Sequence, residues 1–203
     1  MVNYNRMYSK LPNLVVGFHG CDEETFNDVI VNGNQLKPSN NKYDWLGSGI
    51  YFWEQNYERA LEWAKQNRKK NPKVIGAIID LGNCLNLVDS YYNNLLTESY
   101  NILKQNYDSI NQPMPENIKS SEKDMDRVVR NLDCAVIQHI HSLNIETETE
   151  PFDSVRAVFI EGDEAYPGAG FSKKTHMQIC VRNLNSIKGY FNPIAPNDEY
   201  TIP

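Results

Sequence analysis

Two short stretches of the sequence hold side chains that suit recognition of a polar ligand. The first, GFHGCD at residues 17–22, places His19 before Gly20 at the end of an apolar run typical of a strand. The imidazole offers a ring donor and the glycine leaves its backbone amide unshielded, so the pair suits a ligand with hydroxyl and carboxamide groups. The second, GSGIYFWE at residues 47–54, leads from a glycine turn into a strand carrying Tyr51, whose ring can supply a stacking surface.

Other kinds of site match the sequence less well. Cys134, His139 and His141 are neighbours in sequence, but residues two apart on a helix project about 200° apart, so the two histidines cannot share one metal ion. The zinc, calcium and phosphate-loop patterns do not occur. Cys21 follows His19 by two residues, yet there is no evident third group to orient a base, which argues against a cysteine hydrolase.

Length and composition indicate one folded domain over residues 1–203, with 40% hydrophobic residues and no apolar run long enough to span a membrane. The net charge of −6 gives no general attraction to nucleic acid. Four separated cysteines without a CxxC pair suit reduced thiols. The apolar stretch near the start is too short for a signal peptide, so we expect a cytoplasmic location.

The hydrophobic periodicity predicts an α+β domain, with helices early and strands late. Asp22 and Asn56 precede apolar-periodic segments and are expected to cap helices. The predicted strands cover residues 14–18, 49–53 and 74–82, and later 154–162, 176–181 and 187–191. Two further helices are predicted over residues 90–106 and 124–143.

The order of these motifs resembles the ADP-ribosyltransferase superfamily, in its poly(ADP-ribose) polymerase and diphtheria-toxin-like branch. The resemblance rests on HG at residues 19–20, NGNQLKP at 32–38, GSGIYFWE, and an alanine-rich helix with an aromatic residue. It covers residues 14–66 most clearly and extends more thinly over 150–193. It implies a split antiparallel β-sheet core with flanking helices, which holds NAD as co-substrate through a His, Tyr, Glu signature.

The resemblance also implies roles for individual residues. His19 would hydrogen-bond the adenosine ribose, and Gly20 would present backbone groups to the nicotinamide carboxamide. Tyr51 would stack on one face of the nicotinamide and Trp63 on the other. Where the family often has a serine three places before that aromatic residue, this chain has alanine, so the hydroxyl bond to the carboxamide is missing. Tyr43 is expected to line the pocket.

The third signature position departs from the family. A glutamate usually opens a late strand, whereas HMQICV offers Gln178. A carboxylate about 4 Å from the positive charge that develops on the ribose is worth roughly 4 kcal/mol with surface-like screening, and an amide supplies only dipoles. Glu161, in the loop before that strand, is a second candidate for the catalytic carboxylate. Arg156 is a candidate contact for the diphosphate.

The activity implied is transfer of a single ADP-ribose from NAD to a macromolecule with release of nicotinamide. Protein is the expected acceptor, with DNA or RNA as alternatives, and no membrane partner is expected. A short stand-alone transferase fits a bacterial or phage toxin or defence effector, with an antitoxin or immunity protein as a possible partner. A NAD glycohydrolase, a non-catalytic NAD or ADP-ribose reader and a plain interaction domain remain open alternatives.

Overall fold

The structure is a computed structural model that describes residues 14–67, 69–119 and 128–202. The strands are β1 (Leu14–Cys21), β2 (Ile50–Glu54), β3 (Lys73–Asp80), β4 (Cys84–Asn86), β5 (Asn117–Ile118), β6 (Val129–Arg130), β7 (Ser154–Phe159), β8 (His176–Val181) and β9 (Ile187–Phe191). The helices are α1 (Glu23–Phe26), which continues as a π-helical turn (Asn27–Val31), α2 (Tyr57–Gln66), α3 (Ser90–Ser109) and α4 (Asn131–Glu146), with a 3₁₀ turn at Leu184–Ser186.

Seven of these strands form one sheet in the order β4-β7-β8-β2-β1-β3-β9, and β5 pairs with β6 apart from it. The predicted α+β class is therefore confirmed. Every neighbouring pair in the large sheet is antiparallel except β4 and β7, which run parallel. The resemblance implied an antiparallel core, and the observed sheet is mixed because β4 pairs in parallel with β7 at its edge, after the long connection through α3 and α4.

The pairing between β1 and β2 is much shorter than either strand. Only Gly17 and Phe18 of β1 lie opposite β2, at Glu54 and Trp53. Beyond that point residues 19–21 pair with β3 alone and residues 50–52 with β8 alone. We call this region, residues 19–21 and 50–52, the strand split.

The two faces of the sheet carry different layers. On one face, here the α1 face, Phe26, Val29 and Ile30 pack against sheet residues that include Phe52 and Ile75. On the opposite face, α2 covers Trp53 and Val74, and α4 with part of α3 covers the β7–β8 half. Successive strand residues alternate between these faces, so position along a strand decides which layer a side chain joins.

Most predicted elements are confirmed, although several boundaries differ by up to three residues and one helix begins later than predicted. Asp22 accepts a hydrogen bond from the backbone N–H of Thr25, and Asn56 accepts one from that of Arg59, as expected for N-caps. The helix predicted over 124–143 begins at residue 131 instead, since residues 129–130 form β6; residues 124–127 lie outside the described parts of the chain. No helix in the described ranges is long and apolar enough to cross a membrane.

Candidate functional site

His19 joins the two halves of the sheet at the strand split. Its ring Nδ1 lies 2.8 Å from the backbone carbonyl oxygen of Tyr51. A carbonyl can only accept, so Nδ1 carries the hydrogen and, in the neutral ring, Nε2 is left as an acceptor. Burial lowers the pKa of His19, which keeps the ring neutral near pH 7.

A cavity of about 970 Å³ opens beside His19 on the α1 face. Its walls come from the start of α1, the segment after the π-helical turn and the turn before β3. The lining is mostly polar and includes four acids and two lysines, so its acidic groups outnumber its basic ones: Asp22, Glu23, Glu24, Asp28, Lys37 and Lys70. Carboxylates and amides suit the hydroxyl and amino groups of a nucleoside, whereas the acidic balance disfavours a phosphate in the same space.

Gly20 lies where α2 comes closest to β1. A Cβ placed on Gly20 would stand 2.1 Å from the backbone oxygen of Ala60 and 3.3 Å from the Cβ of Ala64. Ala60 and Ala64 are themselves fully buried, so both sides of the contact are small. The glycine is required by this close approach, independent of any role of its backbone toward a ligand.

The ring of Tyr51 does not share the His19 cavity. Its hydroxyl donates to the carbonyl of Gly47 at 2.6 Å and accepts from the N–H of Leu46 at 2.8 Å. The ring packs in the cluster beneath α4, and burial raises the pKa of the phenol. His19 and Tyr51 were expected to contact one NAD molecule. The structure instead directs their side chains to opposite faces of the sheet, and the two residues meet only through the Tyr51 carbonyl.

A second polar group lies on the α2 and α4 face, here called the Gln178 cluster: Arg59, Glu161, His176 and Gln178. Gln178 on β8 lies opposite Trp53 of β2, and its Nε2 is 3.0 Å from Nε2 of His176. Glu161 lies 3.5 Å from Nδ1 of His176 and 3.0 Å from Nη2 of Arg59. The structure thus brings both predicted candidates for the third catalytic position into one connected group.

Several buried donors near the Gln178 cluster lack a hydrogen-bond partner among the described residues. They are the ring N–H of Trp53 and the Nε–H groups of Arg59 and Arg130. The guanidinium of Arg130 lies over the ring of Phe159, which in turn packs 5.8 Å from that of His176. Unpaired buried donors are costly, so this region suits a ligand that brings acceptor atoms.

Aromatic rings border the same region. Trp63 on α2 lies 5.7 Å from Trp53 between ring centroids, and Trp53 lies 6.4 Å from His176. Trp63 is therefore near the Gln178 cluster, whereas Tyr43 is half exposed and does not line the His19 cavity.

Sequence reasoning missed Trp53, Arg59 and His176 as members of this site. For His176 a signal was present, because residues two apart on a strand share a face and Gln178 was already a candidate. The ion pair between Arg59 and Glu161 joins residues 102 positions apart, for which the sequence carries no local signal.

Two alternative roles find no support in the geometry. Cys21 is buried, and burial raises the pKa of its thiol to about 12, which disfavours a nucleophilic thiolate near neutral pH. Arg156 forms a two-point ion pair with Glu54, at 2.5 and 2.9 Å, so its guanidinium is engaged on the sheet instead of facing a diphosphate.

Within the described ranges no group of three or more His, Cys, Asp or Glu side chains is arranged to hold a metal ion.

Comparison with known proteins finds no matching family model, no matching curated protein and no matching solved structure.

Proposed function

We propose that this chain is an ADP-ribosyltransferase that binds NAD across the strand split and transfers one ADP-ribose to a macromolecular acceptor, most readily a protein. The observation that carries the proposal is the divergence of β1 and β2 beyond Phe18 and Trp53, with His19 at its edge. A site at the divergence of two half-sheets is what the resemblance to the superfamily implies. The acidic chain, with net charge −6, favours protein over nucleic acid as acceptor.

The His19 cavity is assigned to the adenosine portion of NAD. In the neutral ring Nε2 of His19 is an acceptor that suits a ribose hydroxyl, and the acidic and amide lining offers acceptors for the adenine amino group. A volume of about 970 Å³ is ample for a nucleoside. Because the adenosine and nicotinamide sites lie on opposite faces of the sheet, the diphosphate would pass through the strand split, which requires the chain to open around the contact between His19 and Tyr51.

The Gln178 cluster is assigned to the nicotinamide riboside portion. Transfer breaks the bond between the anomeric carbon and the nicotinamide nitrogen, whose electron pair leaves with nicotinamide. An acceptor lone pair then forms the new bond, and the acceptor proton passes to a base. Glu161 is the carboxylate of the cluster that can stabilise the positive ribose and take this proton, while Gln178 orients the ribose hydroxyls.

The test uses NAD labelled in its adenylate portion, incubated with the full chain and cell extract that is then separated into protein, DNA and RNA. The proposal predicts label in the protein fraction and stoichiometric release of nicotinamide. Glu161→Gln is expected to lower transfer at least tenfold, since it removes the charge and the base. Glu164→Gln, in the same loop but exposed, is the matched control and should transfer like wild type. Absence of both label and NAD consumption would refute the proposal.

A second candidate, a non-catalytic NAD-binding module, is favoured by one observation. The carboxylate of Glu161 is already paired with Arg59 at 3.0 Å, and the third signature position holds the neutral Gln178. Such a module would bind NAD without releasing nicotinamide. Release of nicotinamide without labelled macromolecule would instead identify a glycohydrolase that uses the same site with water as acceptor.

A further inference from the structure

The Gln178 amide is held by a chain of hydrogen bonds with a defined direction. The ring Nδ1 of His176 lies 2.7 Å from the backbone oxygen of Lys174. That oxygen can only accept, so Nδ1 carries a hydrogen. The ring of His176 is fully enclosed, because none of its side chain reaches the surface.

The tautomer of His176 also decides which group donates in its hydrogen bond with Gln178. A neutral imidazole has one N–H, so with the hydrogen on Nδ1 the other nitrogen of His176 is an acceptor. It lies 3.0 Å from Nε2 of Gln178, which must therefore donate. The carbonyl oxygen of Gln178 then points away from His176, where it bonds to no described residue.

Burial keeps the ring of His176 neutral, and the charges around it act in both directions. Glu161 faces it at 3.5 Å and favours a positive ring, while the guanidinium groups of Arg59 and Arg130 oppose one. Burial has the largest effect, and the pKa of His176 is lowered from its ordinary value. The neutral form with its hydrogen on Nδ1 is consequently the form that faces Gln178 near pH 7.

We propose that His176 is a positioning residue that turns the Gln178 amide so that its carbonyl oxygen faces the ligand, and that the cluster thereby selects a ligand hydroxyl by accepting its hydrogen. The assignment of that hydroxyl to the ribose of NAD rests on the proposed function. The nearby ring N–H of Trp53 and Nε–H of Arg59, which lack a partner among the described residues, are donors, so the amide oxygen supplies an acceptor in their vicinity. A glutamine can thus replace a glutamate in accepting a hydrogen bond from a hydroxyl, but it cannot supply the negative charge of the glutamate.

Protonation of His176 would reverse this arrangement. With hydrogens on both ring nitrogens, Nε2 becomes a donor and can no longer accept from the Gln178 amide. The amide must turn by half a revolution and present its NH₂ group among donors. The hydroxyl then loses its acceptor, so NAD affinity should fall when the pH drops through the lowered pKa of His176.

The experiment joins two measurements on the full chain. Long-range ¹H–¹⁵N spectra of protein labelled at histidine report which ring nitrogen of each of the four histidines carries hydrogen, with signals assigned by single substitutions. We expect His176 to be protonated on Nδ1 alone at pH 7. NAD titrations then compare wild type with His176→Phe, which keeps a ring between Trp53 and Phe159 and removes the acceptor. We expect roughly tenfold weaker binding in the variant, without the acid-dependent loss seen in wild type.

Each outcome decides between the two claims. Hydrogen on Nε2 of His176, or a His176→Phe protein that binds NAD with the affinity and pH profile of wild type, overturns the positioning role. If His176→Phe does not fold, the tautomer in the wild-type spectrum still decides it. If wild type binds no NAD while His176 is protonated on Nδ1, the proposed function fails but the orientation of the amide stands.

Discussion

The imidazole of His19 donates a hydrogen bond to the backbone carbonyl of Tyr51 across the gap where β1 and β2 no longer pair. This contact links the two half-sheets as a ladder hydrogen bond would, and His19 also lines the cavity on the α1 face. Under the proposed function, stability and NAD binding therefore depend on different nitrogens of one ring.

Substitution of His19 should separate these two functions. His19→Asn keeps an N–H close to the Nδ1 position but lacks the acceptor at Nε2, so it should retain near wild-type stability and lose NAD binding. His19→Ala loses both, and should lower the free energy of unfolding by at least about 1 kcal/mol. Urea denaturation and NAD titration of both variants test this. Equal NAD affinity in His19→Asn and wild type would contradict the assigned role of Nε2.

Gly20 and Gly189 form a matched pair of strand glycines. In Gly20→Ala the new Cβ meets the backbone oxygen of Ala60 at 2.1 Å, so α2 must move, at a cost of about 3 kcal/mol or more. Gly189→Ala meets nothing within 4 Å and should be neutral or stabilising by about 0.5 kcal/mol. Thermal unfolding of both variants provides the comparison. Similar stability of the two would show that α2 does not approach β1 so closely.

Loss of one partner of the ion pair between Arg156 and Glu54 should lower stability without changing NAD binding. Both side chains are largely buried, with exposed fractions of 14% and 12%, so Arg156→Met leaves a buried carboxylate uncompensated and should cost about 3 kcal/mol. The double variant with Glu54→Leu should recover much of this loss, since neither charge remains. Chemical denaturation of the wild type, the two single variants and the double variant measures this double-mutant cycle. Simple addition of the two single effects would contradict a direct coupling.

Stability should fall in mild acid because of His141. Burial lowers the pKa of His141 to about 3, below its ordinary value of 6.5, so between these pH values the unfolded chain binds a proton that the folded chain does not. From pH 7.5 to pH 5 this residue should cost about 2 kcal/mol. His141→Leu removes the titrating group and a ring nitrogen that has no partner among the described residues. It should make the profile less steep, while His19 and His176, whose pKa values are also lowered, continue to contribute. An unchanged slope of unfolding free energy against pH in this variant would exclude His141 as the source.

The sequence predicted the elements better than the site. Caps such as Asp22 and apolar periodicity are local signals, so the main helices and strands could be predicted with boundary errors of a few residues. The two-residue strands β5 and β6 were missed because so short a segment carries no periodicity. For the same reason the predicted helix was started too early and included the residues that form β6.

The direction of side chains was the harder part of the site. His19 and Gln178 were identified as candidates from their motifs. The face that each occupies depends on strand register, which is set by tertiary pairing and inverts with a shift of one residue. Tyr51 illustrates the consequence, because its hydroxyl is bound by the turn at Gly47 and its ring belongs to the core.

Calorimetric titration of the wild-type chain with NAD, with His19→Asn as the matched control, tests the central claim most directly. The account predicts one binding site per chain, with affinity reduced at least tenfold in His19→Asn while its unfolding midpoint stays near that of wild type. Absence of NAD binding by the wild-type chain, or identical binding by both proteins, would contradict an NAD site at the split between β1 and β2.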